Sequence, residues 1–126
     1  MNGMHYIELG PIPGYVGFCF DEKPFAKEMK RLAIKDPPRW LNEGAHGTCH
    51  SFEHPTDGLT ILVCMNGALA KKKKPIAVIE LMVHECTHVW QRLREFMNEH
   101  TPSAEFEAYT MGYLVQQCLI AYGKWK

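Results

Sequence analysis

A chain of 126 residues with 14 basic and 14 acidic side chains has room for one domain, residues 1–126, with a small core. Its zero formal charge argues against the broad basic face that binding to nucleic acid or to anionic membranes requires. The five cysteines, an odd number without framework spacing, point instead to reduced, mostly buried thiols.

Met1 to Gly10 carries no basic region followed by an apolar run, so no signal peptide is expected. The longest apolar stretch, Leu59 to Met65, has the length of a strand rather than of a bilayer span. Together these features lead to the expectation of a cytoplasmic protein.

Gly10, Pro11, Pro13, Gly14 and Gly17 break any helix near the start and leave short extended pieces at Met4–Leu9 and Tyr15–Phe20. Asp21 reads as an N-cap, with Pro24 in the first turn. Phe25, Met29, Leu32 and Ala33 then recur at helical spacing, which predicts a helix over about residues 22–35 ended by Pro37-Pro38. Its lysines and arginine form the wet face.

From Gly47 the pattern changes to strand. Thr48–His54 and Leu59–Met65 flank the turn residues Pro55-Thr56-Asp57-Gly58, a hairpin signal. The second strand is almost wholly apolar, as a central strand would be. His50 and His54 share one face by the period of two, and His46 would join them if the strand began earlier. Lys71–Lys74 reads as a solvated loop. Pro75 then suits the first turn of a helix running to about Met97, apolar on several sides and therefore largely buried. A last helix is expected over Pro102–Tyr122, with Ala108, Met111, Gly112, Val115, Cys118, Leu119 and Tyr122 facing inward and Gly123 ending it.

The chemistry lies in Val83-His84-Glu85-Cys86-Thr87-His88-Val89. Four residues apart on a helix, His84 and His88 stand one above the other and can share one tetrahedral Zn²⁺. Glu85, one step round, can reach a water without being a ligand; HExxH on a helix is a known zinc motif in which that glutamate serves as general base. A catalytic zinc needs a third protein ligand. The last helix offers Glu105 and Glu107, about 200° apart on the helix, so only one can face the metal. Alignment with Ala108, Tyr109 and Gly112 favours Glu105; Glu107 is the alternative.

His84-Glu85-Cys86-Thr87-His88, a short connection and then Glu105-Phe106-Glu107-Ala108-Tyr109 resemble the gluzincin pattern, HExxH plus a glutamate from a following helix. In thermolysin-like, neprilysin-like and prenyl-protein-processing zinc proteases that glutamate opens a Glu-x-x-x-Asp segment. Aligned so, Glu105 is the ligand and Tyr109 replaces the aspartate that usually orients a histidine. A phenol can hydrogen-bond but supplies no negative charge at neutral pH.

The order of elements resembles the minimal gluzincins, and the wording of Leu81–Gln91 resembles small phage-encoded candidate metallopeptidases. The likeness covers about residues 48–122. It implies an α+β, zincin-like fold: a small antiparallel or mixed sheet with a hairpin packed on the HExxH helix, and a C-terminal glutamate helix. It also implies a zinc metallopeptidase acting on a peptide or protein. Tyr113, His50 and Tyr109 are the candidates for stabilising an oxyanion. The alternative is a catalytically silent, zinc-bound protein-binding module.

Overall fold

The computed structural model describes residues 3–55 and 58–126. Four strands, β1 (His5–Leu9), β2 (Ile12–Cys19), β3 (Gly47–His54) and β4 (Gly58–Met65), alternate with helices α1 (Glu22–Arg31), α2 (Gly67–Ala70), α3 (Pro75–Met97) and α4 (Ala104–Trp125). The sheet runs β1-β2-β4-β3. Its outer pairs are antiparallel and β2–β4 is parallel, so the architecture is α+β with a mixed sheet. Nearly every residue of β4 is buried, in keeping with its central place between β2 and β3. Residues 56 and 57 of the expected turn lie outside the described residues.

Alternation along the strands divides the interior in two. Val16, Phe18, Ile61, Val63 and Met65 face α3 and α4, whereas Cys19, Leu62 and Cys64 face α1. The sheet is therefore covered by α1 on one side and by α3 with α4 on the other. α3 seats Met82, Cys86, Val89 and Leu93, none more than 1% exposed, against the first of these faces. All five cysteines are free and four are buried. No helix among the described residues is long and apolar enough to cross a membrane.

Three expectations about the helices change. α1 stops at Arg31 rather than near residue 35. Ala33 turns left-handed (φ 55°), and Ala33 N–H and Ile34 N–H donate to Lys30 O and Met29 O, each at 3.0 Å. This is a Schellman closure built without glycine, so the prolines further on are not what ends the helix.

α4 starts at Ala104, with the Ser103 hydroxyl capping Phe106 N–H at 3.1 Å, and it runs through Gly123 to Trp125. Tertiary contact outweighs the glycine. The Trp125 indole donates to Asp21 at 2.7 Å and its ring lies against Phe20.

The buried stripe of α4 is Thr110, Leu114, Cys118, Ala121 and Tyr122, whereas Ala108, Gly112 and Leu119 face outward. On α3, Ile76, Ile79 and Val83 are exposed as well, so that helix is apolar beyond the face it buries.

A β-carbon at Gly67 would come within 2.4 Å of the Trp125 ring. Gly67→Ala is therefore expected to lower stability by about 1–3 kcal/mol through overpacking, read as a lower urea midpoint, and to be relieved by Trp125→Leu in the same chain.

Candidate functional site

α3 carries the HExxH segment on the shoulder of its buried stripe. Glu85 lies 100° round the helix from Cys86 and His84 another 100° beyond, so the order runs from core to solvent. Glu85 is 4% exposed, His88 half-buried and His84 exposed. The two imidazoles stack edge to face, ring centroids 4.9 Å apart. The Gln91 amide oxygen lies 2.9 Å from His88 Nδ1. A carbonyl oxygen only accepts, so Nδ1–H donates to it, which leaves Nε2 as the nitrogen that can face a metal ion. Gln91 thus orients a would-be metal ligand, the task expected of the residue at position 109. Its sequence signal was the i, i+3 spacing from His88.

Glu85 reaches the first residue of β3. A β-carbon on Gly47 would sit 3.1 Å from Glu85 Oε2, so a side chain there would crowd the carboxylate. Burial pushes the Glu85 pKa above the ordinary carboxylate range, and the neighbouring His84 and His88 only partly oppose it. No hydrogen bond ties the carboxylate down among the described residues. Both walls open onto a groove of about 520 Å³ whose lining includes His46, Gly47, Lys73, Glu80, His84 and Glu85. β3 is an outer strand of the sheet, and its first residue, Gly47, lines the groove.

The α4 carboxylates lie elsewhere. Glu107 Oε2 accepts from the Trp90 indole N–H at 2.6 Å, and Trp90 projects about 200° round α3 from His88. Glu105 is exposed. At its first turns α4 is rotated away from the expected face: Glu107, in line with Thr110 and Leu114, faces inward, and Glu105, in line with Ala108 and Gly112, faces outward, while Cys118 and Tyr122 are buried as expected. Among the described residues no group of three or more His, Cys, Asp or Glu side chains is arranged to hold a metal ion. The imidazole pair fits two donor positions of a zinc site; neither α4 carboxylate stands with it.

The other sequence candidates also separate from the groove. Tyr109, 76% exposed, and Tyr113 line a different cleft of about 280 Å³ with Phe106 and the β1–β2 hairpin. His50 is buried rather than presented to solvent. Its ring packs on Phe25 and Phe52, and Nε2–H donates to Trp40 O at 2.9 Å. Another cavity, of about 920 Å³, lies across the sheet beside α1 and Tyr6, and none of the HExxH residues lines it.

Burial holds the His50 pKa below its usual value, with the bond to Trp40 opposing in part. The folded chain then binds fewer protons than the unfolded one, so His50 costs nothing above its unfolded pKa of about 6.5 and destabilises the fold progressively below it. Urea unfolding at pH 7 and pH 5.5 should show wild type losing more stability over that interval than His50→Phe, although the variant is less stable at pH 7.

With the fold and this groove in view, comparison with known proteins adds no relative: no family model matches the chain, and no curated protein or solved structure matches it.

Proposed function

We propose that the protein is a zinc-dependent peptidase of the minimal gluzincin kind, with a zincin-like arrangement of hairpin, HExxH helix and following helix. The observation that carries this reading is Glu85: a nearly buried carboxylate with a raised pKa, held against a glycine at the start of an edge strand and next to two stacked imidazoles. A purely structural glutamate on this shoulder would be expected to find a hydrogen-bond partner.

His84 and His88 would hold the ion; of the two candidates for third donor, Glu107 is engaged by the Trp90 indole and Glu105 is exposed on the outer side of α4. When bound, zinc supplies Lewis-acid polarisation of the scissile carbonyl and acidifies a water. Glu85 takes the proton of the attacking water and passes it to the leaving amine. Its raised pKa in the metal-free protein makes the carboxylate a ready proton acceptor. An extended peptide would lie along the free edge of β3, where main-chain hydrogen bonds give affinity without demanding one sequence.

Glu85→Gln should keep stoichiometric zinc and lose cleavage of labelled casein to background, while His84→Ala and His88→Ala lose zinc on dialysis. Of Glu105→Ala and Glu107→Ala, the ligand variant should lose more zinc affinity than the roughly 10–100-fold that removal of an outer partner costs, and the other should keep it. The distance between Glu107 and the imidazoles favours one further reading, a silent zinc-bound binding module. Stoichiometric zinc with no cleavage by wild type would support it.

A replacement of Glu85 also tests the burial argument without metal. Glu85→Gln removes a charge that burial disfavours, so the metal-free variant should be more stable than wild type at pH 7, read as a higher urea midpoint.

A further inference from the structure

We propose that the face made by α2, the turn after it, the start of α3 and the end of α4 docks on an anionic lipid bilayer, a property independent of the peptidase reading. The formal charge of the chain is zero, but the charges are unevenly placed. No acidic residue occurs from Gly58 to Ile79 or from Ala108 to Lys126, whereas Lys71, Lys72, Lys73, Lys74, Lys124 and Lys126 all fall within these two segments. The fold brings the segments together. Lys71 Nζ lies 4.5 Å from the centre of the Trp125 ring, and Lys71, Lys73 and Lys126 line one cleft of about 380 Å³ between α3 and α4. Two carboxylates lie near, and both are placed elsewhere: Glu80 lines the HExxH groove, and Asp21 accepts from the Trp125 indole.

The lysine run that reads as a solvated loop is a hydrogen-bonded turn. Lys71, Lys72 and Lys73 N–H donate to the carbonyls of Gly67, Leu69 and Ala70 at 3.1, 3.0 and 3.0 Å, and Lys74 O accepts from Ala77 N–H at 2.9 Å. The ammonium groups are therefore presented from backbone that folding has already ordered.

Beside them stand aliphatic side chains that the core does not use. Ile76 is 76% exposed, and Leu69, Ile79, Val83 and Leu119 are exposed as well. Ile76, Ile79 and Val83 recur at i, i+3 and i+7, so they form one stripe of α3, and Ile79 and Leu119 line the same cleft as the lysines. A bilayer interface matches this pairing, because ammonium groups reach headgroup phosphates while apolar side chains enter the acyl boundary. Either signal alone gives weak attachment, and together on one face they add. Single-stranded nucleic acid would call for open aromatic faces among the cations. Here the Tyr122 and Trp125 rings stack on each other and on Phe20, with Lys126 and Lys71 over them.

The test is co-sedimentation of the whole chain with vesicles of phosphatidylcholine, alone or mixed with phosphatidylserine. Wild type should sediment with the mixed vesicles only, and less so as salt rises from about 0.1 M to about 1 M. Replacing Lys71, Lys72, Lys73 and Lys74 together by glutamine should lower the partition coefficient by about 10²–10³-fold, and Ile76→Ser should lower it by about tenfold. Replacing Lys23, Lys27, Lys30 and Lys35 by glutamine removes the same charge from exposed positions on and after α1, across the sheet, and should leave binding as in wild type. Circular dichroism melting confirms that each variant folds. No binding to the mixed vesicles, equal binding to phosphatidylcholine alone, or equal losses in the two lysine variants overturns the proposal. Unchanged binding in Ile76→Ser overturns it too, since the apolar stripe would then be idle, and a polyuridine RNA held more tightly than the mixed vesicles would assign the face to nucleic acid instead.

Discussion

The seating of one apolar stripe, Met82, Cys86, Val89 and Leu93, on the inner face of the sheet decides where every reactive group on α3 points. Each of these side chains contributes about 1.5–3 kcal/mol of burial, so the helix has one strongly preferred rotation. At that rotation Glu85 falls on the shoulder beneath β3 and the imidazoles fall beyond it, toward water. A turn of the helix by one residue would drive the Glu85 carboxylate into the hydrocarbon position of Cys86 and move Cys86 outward, at a cost no surface contact could offset. The graded exposure of Glu85, His88 and His84 is a by-product of core packing.

The opposite wall of the groove is built differently. It comes from the long connection between α1 and β3, a segment without regular structure that would be costly to order by itself. Specific polar contacts hold it: His50 to Trp40, Thr48 to Asn42 and Asn66 to His46. Aromatic packing of His50 between Phe25 and Phe52 couples this wall to α1 across the sheet. The layer that carries none of the HExxH residues therefore supports the site, because it fixes the loop that faces them.

α4 shows the limits of periodicity as a guide to rotation. Phe106, Tyr109, Tyr113, Leu119 and Ile120 are all exposed, so apolar residues occur round the whole helix and no single stripe announces itself. Its orientation is fixed by the burial of Leu114, Cys118, Ala121 and Tyr122 in the core together with contacts at either end, Glu107 with the Trp90 indole and Trp125 with Asp21. These long-range pairings turn Glu107 inward and Glu105 outward, and they carry the helix past Gly123.

Apart from the short α2, which nothing in the pattern announced, the elements were legible in the residues, though not all of their ends. Strand alternation and the turn-forming residues marked the β3–β4 hairpin, and Pro75 with the apolar spacing that follows marked α3 to its last residue, because these signals act over a few neighbours. The same local geometry placed His84 over His88 with Glu85 beside them. What the chain alone could not settle is which residues meet from distant segments. The passage of Glu85 past Gly47, the gathering of His46 into the same groove, the withdrawal of His50 and the turning of Glu107 to Trp90 each depend on how layers dock. Docking is decided by the summed burial of many side chains, and no short window of sequence contains that sum.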